Sequence, residues 1–166
     1  MRTFFTLLAV TGLAACATAY QPKSFSGGFT ETQLDKNVFR VSFQGNGYTH
    51  ADRAEELALL RSAELTLKNG FTHFAIVDGR SRSDYSSFTT PTQSSTTGTV
   101  SSYGNTSYLN ATTRTTGGDT FTVAKPSSTN TIICFNGKPE INAFVYDARF
   151  VFNSLAAKYG IVGGSN

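Results

Sequence analysis

Between Val38 and Gln44 the apolar residues Phe39, Val41 and Phe43 alternate with Arg40, Ser42 and Gln44. A period of two predicts a strand with one face buried and the other wet. Gly45-Asn46-Gly47 ends the alternation as a turn. The spacing then becomes helical: Ala54, Leu57, Ala58 and Leu65 share a stripe, with Leu60, Ala63 and Leu67 beside it. That is the wide apolar face of a helix over 49–69 lying on a sheet. Thr49, with Asp52 three residues on, resembles a capping box, and Gly70 supplies a left-handed C-terminal stop. Arg53, Glu56, Glu64 and Lys68 are left towards water, with Arg61 near the edge of the stripe. Phe71 to Val77 is almost continuously apolar, as expected of a strand paired on both sides. Strand, helix and strand together predict a β-α-β unit with a right-handed crossover.

The pattern fails after Gly79. From Ser81 to Thr131 about half of the residues are Ser or Thr and very few are charged, too little apolar surface for a core. The expectation for most of 81–118 is an irregular insertion. A β-hairpin is the alternative, because Thr99 to Tyr103 and Ser107 to Asn110 flank Gly104-Asn105. Alternation returns at Phe121 to Val123, and Thr131 to Phe135 follows as a more apolar run, read as two strands joined by a turn at Pro126, Ser127 and Ser128. Asp147 fits the N-cap of a second helix in which Ala148, Val151, Phe152 and Leu155 fall at helical spacing, ending near Gly160. A strand over 143–152 is the weaker alternative. These elements predict an α+β fold: a small mixed sheet, made of the β-α-β unit plus a β-hairpin, covered on one face by two helices. Its domain runs from 37 to 160, with a tether at 16–36, where Pro22 and Gly27-Gly28 break every pattern, and a loose tail at 161–166.

Composition adds exclusions. Charged residues are 15% of the chain and the net charge is +3, without the basic clustering of a nucleic-acid binder. Two cysteines and two histidines exclude a disulfide-dense scaffold and a His-rich metal site. Cys134, within Thr131 to Phe135, reads as a small buried hydrophobe.

The first residues read as an address. Arg2 is a positive n-region and Phe4 to Leu13 a short apolar h-region, the layout of a secretory signal over 1–15. Leu13-Ala14-Ala15-Cys16 resembles the lipobox of bacterial lipoproteins. The resemblance implies cleavage between Ala15 and Cys16, lipidation of Cys16 with diacylglycerol and usually a further acyl chain such as palmitate, and a membrane partner through that anchor. With Ala17 after the cysteine it also implies the outer membrane, facing the periplasm. Ordinary cleavage after Ala17-Thr18-Ala19, releasing a secreted periplasmic protein, is the competing pattern.

A broader resemblance rests on Phe39-Arg40-Val41-Ser42-Phe43-Gln44-Gly45-Asn46-Gly47-Tyr48-Thr49, on Leu60 to Thr66, on Gly70-Phe71 and on Tyr146-Asp147-Ala148. These runs look like an uncharacterised family of small proteobacterial envelope lipoproteins. The resemblance implies an envelope location and an α+β domain, with no activity to carry over.

Motifs for catalysis are missing: no Gly-x-Ser-x-Gly, His-x-x-x-His, Cys-x-x-Cys or phosphate loop occurs. His50 reads as a solvated first-turn residue, His73 as a half-buried strand residue, and Glu55, Glu56 and Glu64 as one solvated helix face. Arg61 and Glu64 are expected to fix the helix against Asp78 or the strand ends. No catalytic, cofactor-binding or metal residue is assigned, and no enzyme is expected. The expected role is structural or protein-interacting, with another envelope protein as partner and no nucleic acid. A module binding a small ligand or glycan is the alternative.

Overall fold

The computed structural model describes residues 16–161, so the signal reading over 1–15 and all of the 161–166 tail but Ile161 lie outside the described residues. Seven strands and two helices follow in the order β1 (Gly28–Asp35), β2 (Val38–Gln44), α1 (Ala51–Lys68), β3 (His73–Thr89), β4 (Gln93–Tyr103), β5 (Thr106–Thr116), β6 (Thr120–Phe135), β7 (Val145–Asp147) and α2 (Ala148–Tyr159). The chain divides into two units, one reaching to Asp84 and resuming at Ala124, the other Tyr85–Val123.

The first unit holds a five-stranded sheet in the order β1-β2-β6-β3-β7. Its inner face follows the alternation of β2: Phe39 stands opposite Ile132, Val41 opposite Asn130 and Phe43 opposite Ser128. α1 packs against part of this face, chiefly on β2. Ala63 and Leu65 join Phe39, Val41, Phe74, Ile132 and Cys134 in one buried cluster. Ala54, Leu57, Ala58 and Leu60 surround Phe43 in a second, which Ala156 of α2 completes. Two polar residues of α1, Ser62 and Thr66, are fully buried, and each hydroxyl donates to the carbonyl four residues back, Ala58 and Ser62.

The expected α+β architecture does not stand. Among the described residues strand accounts for 52% and helix for 21%, the five-stranded sheet curls into a half-barrel, and it is not a sheet covered by helices. α2 packs mainly on α1, with a smaller contact on β7. The β-α-β unit is split, because β6 lies between β2 and β3. Besides the insertion at 81–118, two segments expected to be irregular supply extra strand. Residues 16–36, expected as a tether, contain β1, an edge strand paired antiparallel with β2. The expected turn at Pro126 is instead the interior of β6, a single strand of 16 residues. Proline fits there because β2 has already ended, with Gln44 opposite Ser127, and the Pro126 carbonyl accepts from the Gly45 amide at 2.8 Å.

Helix ends divide in the same way. Asp147 caps α2, accepting from the Phe150 amide, and Gly160 closes it at φ 62°. At the end of α1, Gly70 (φ 79°) donates to Leu67 and Phe71 to Thr66, a Schellman stop. The capping box at Thr49 does not form: His50 is the N-cap and no side chain caps it.

The second unit replaces the expected irregular insertion. β4 and β5 pair antiparallel over eleven positions, from Gln93↔Thr116 to Tyr103↔Thr106. Gly104 at φ 64° and Asn105 without a positive φ form the turn, the sign pattern of a II′ hairpin. At its base the Thr90 amide donates to Asp119 and the Gly118 amide to Thr90.

Candidate functional site

Four places carry chemistry. The first surrounds Cys16, which is exposed. Its carbonyl accepts from Asn46 Nδ2 at 2.8 Å. Two residues on, Thr18 is 1% exposed. The Thr18 amide donates to Thr49 Oγ1 (3.1 Å), and its hydroxyl donates to the Ser26 carbonyl and accepts from the Asn46 amide, both at 2.8 Å. Thr49, expected to cap α1, is spent on this knot. Gly27 lies so close that a Cβ there would meet the Gln44 carbonyl at 2.3 Å and Thr18 at 3.0 Å. Ala15, the other residue of the expected cleavage site, lies outside the described residues.

The second place is an ion-pair network inside the first unit. Arg61 is buried, not at the edge of a wet face. Its Nε donates to Glu31 Oε2 and its Nη1 to Glu64 Oε2, both at 2.6 Å, while the guanidinium covers the Phe29 ring at 4.0 Å. Tyr20 donates its hydroxyl to the same Glu64 oxygen, and Lys68 Nζ stands 3.3 Å from the other. Burial pulls the Glu64 carboxyl upward, but the bonds from Tyr20 and Arg61 and the charges of Arg61 and Lys68 outweigh it and hold the carboxyl below its usual range. Burial, reinforced by Glu64, pushes the Tyr20 phenol well above its usual range. The expected anchorage of Arg61 to Asp78 is not made: Asp78 pairs with Arg80 at 3.2 Å. This network joins α1 to β1, and its bonds are all used internally.

Third, the outer face of the sheet bears an open cleft of about 680 Å³ where Arg40, Asp78, Arg80, Arg82, Ser127 and Thr129 converge. Arg80 and Arg82 are paired with Asp78 and Asp84, whereas Arg40 forms no ion pair among the described residues. A smaller cleft, about 290 Å³, adjoins Ser42, Gln44 and Lys23. The outward residues of β2 were legible from the alternation; the arginines of β3 were not, because the expected strand ends at Val77 and the composition after Gly79 carries no strand period.

The fourth is the β4–β5 hairpin, exposed along its whole length. One face stacks hydroxyl pairs, Ser94 with Thr115 (2.8 Å), Thr96 with Thr113 and Ser102 with Ser107 (both 2.9 Å), around the apolar pairs Gly98↔Ala111 and Val100↔Leu109. From Tyr85 to Val123 the only charges are Arg114 and Asp119.

The remaining candidates are dispersed. His50 is exposed at the start of α1, and the His73 ring contacts Thr72 Oγ1 at 2.9 Å. Cys134 is buried, and burial raises its thiol. Glu56 accepts from Lys158 and Tyr159 of α2, in that order the causes that lower its carboxyl, and so serves as a helix-to-helix tie. Among the described residues no group of His, Cys, Asp or Glu could hold a metal ion. Comparisons with protein-family models, with curated proteins and with solved structures found no match.

Proposed function

We propose that the protein is an envelope lipoprotein, lipidated at Cys16, whose β4–β5 hairpin recruits another envelope protein. The observation that carries the interaction role is the hairpin itself. Isolated two-stranded ribbons are marginal in water. This one offers exposed Val100, Tyr103, Tyr108 and Leu109 among hydroxyl ladders, with almost no charge to repel a partner. Unpaired strand edges and adaptable Ser, Thr and Tyr side chains suit recognition by strand addition. The location rests on Leu13-Ala14-Ala15-Cys16 and on the resemblance to small proteobacterial envelope lipoproteins. Outer-membrane residence facing the periplasm belongs to the same proposal, and the role is one of binding rather than catalysis.

The test joins both parts. Cys16→Ser should lose palmitate labelling and leave the membrane fraction, and labelling like that of the wild type overturns the anchor. In vivo crosslinking of the tagged protein, read by mass spectrometry, should yield an envelope partner that disappears when 91–117 is replaced by a short Gly/Ser loop. Unchanged crosslinks would move the binding face to the outer side of the sheet. There the cleft at Arg40 supports the second reading, a small anionic or glycan ligand held by Arg40, Ser127 and Thr129.

A further inference from the structure

We infer that the end of the first unit around Cys16 is a membrane-apposed face, seated in the headgroup layer of the bilayer by Phe25 and Tyr48. The inference rests on lipidation of Cys16 and adds to it an orientation. The polar, glycine-containing composition of 16–36 predicts a loose linker between the lipidated cysteine and the domain. The fold leaves no such linker. Cys16 is held through its carbonyl by Asn46, and Thr18 is buried with amide and hydroxyl both bonded. Two residues of extended chain span at most about 7 Å. That is comparable with one polar headgroup layer, roughly 5–8 Å of a bilayer about 40–45 Å thick with a core of about 30 Å.

Acyl chains on Cys16 therefore draw the residues bonded to Cys16 and Thr18 into the interface. Those residues belong to two turns. Ser26, whose carbonyl receives the Thr18 hydroxyl, follows Phe25, and the turn is closed by Ser24 and Gly27 bonding each other's backbones at 2.9 and 3.1 Å. Asn46, which holds both Cys16 and Thr18, also fixes the Tyr48 amide through its Oδ1 at 3.0 Å. Phe25 is 111% exposed and Tyr48 is 72% exposed. Two exposed aromatic rings on hydrogen-bonded turns, beside the residue proposed to be acylated and with exposed Lys23 two residues before Phe25, match the aromatic and basic residues that settle at membrane interfaces. Water is the poorer environment for Phe25, and the lipid surface is its natural cover.

The test uses the full-length lipidated protein in vesicles of phosphatidylethanolamine and phosphatidylglycerol. Cys134 is buried and Cys16 would be acylated, so single variants Phe25→Cys, Tyr48→Cys and Leu34→Cys can each take one thiol-reactive fluorophore. Leu34, 47% exposed, lies at the opposite end of β1 from Gly28. Nitroxide-labelled lipid should quench the probe at 25 and 48 several-fold more than at 34, with a blue-shifted emission at both. Equal, weak quenching at all three sites in protein that floats with the vesicles overturns the seat while the anchor stands. Protein that neither labels with palmitate nor floats overturns the anchor and the seat together.

Discussion

At Arg61 the local pattern and the tertiary partner disagree, and the partner wins. Helical spacing puts this residue at the edge of the apolar stripe of α1, where a guanidinium would be solvated. It is buried because Glu31, thirty residues earlier, meets it from β1. That partner was illegible: along β1 the positions facing the inner side of β2 are Phe29, Glu31 and Gln33, so the strand shows little hydrophobic alternation. By contrast, Asp147 and Gly160 could be read directly, since caps act within three or four residues. The pH behaviour follows from the same cluster. Glu64 faces Tyr20, Arg61 and Lys68, and its carboxyl is lowered from the usual 4.5. The unfolded chain therefore takes up a proton more readily, and the stabilisation is complete above that value and lost as pH falls through the folded one. Glu56, lowered first by Lys158 and then by Tyr159, acts in the same direction. Melting temperatures measured between about pH 6 and about pH 3 should fall on acidification, and Glu64→Gln should flatten that fall. Parallel curves for variant and wild type would show that the carboxylate is not linked to folding.

At the scale of elements, the alternation that marks β2 and the stripe that marks α1 survive because each element buries one face against the other. The Ser/Thr-rich stretch defeated the same logic. β4 and β5 bury neither face, so no apolar period marks them, and what holds them is a ladder of backbone bonds and paired hydroxyls. Only Gly104-Asn105, with its turn chemistry, signalled a hairpin. Pro126 misled in the opposite sense, since its missing N–H lies where the neighbouring strand has stopped. The structure also moves the boundary of what can be removed. β3 runs on to Thr89, and beyond residue 80 it still bonds β6, Ser81 Oγ to Ser128 Oγ at 3.5 Å and Ser127 Oγ to the Arg82 carbonyl at 3.4 Å, so a cut at residue 81 would damage the sheet. Replacing 91–117 with a Gly/Ser loop spares these strands and the Thr90–Asp119 closure. Loop closure changes by only about 0.6 kcal/mol per doubling of length, and no buried side chain is lost. The shortened protein should keep a cooperative melt within a few degrees of the wild type. A non-cooperative or absent transition would make the hairpin a structural part of the sheet.

For the molecule as a whole, location and fold meet at the first described residues. Composition makes 16–36 a spacer, because polar and glycine-rich chain buries little. What composition cannot show is that Thr18 closes a knot with Ser26, Asn46 and Thr49, partners up to 31 residues away. The consequence is that Ala17, the residue after the cysteine proposed as the anchor, sits between two held positions and is only partly exposed. By resemblance to the sorting of Gram-negative lipoproteins, that residue decides the membrane: an aspartate retains the protein at the inner membrane, and other side chains release it to the outer one. The native chain should therefore sediment with outer membranes on a sucrose gradient. Ala17→Asp should shift it to the inner-membrane fraction without changing the melt, since the Thr18 knot uses none of the Ala17 side chain. Native protein found with inner membranes would overturn the outer-membrane placement. An unshifted Ala17→Asp variant that still labels with palmitate would leave the anchor standing and remove Ala17 as the sorting residue.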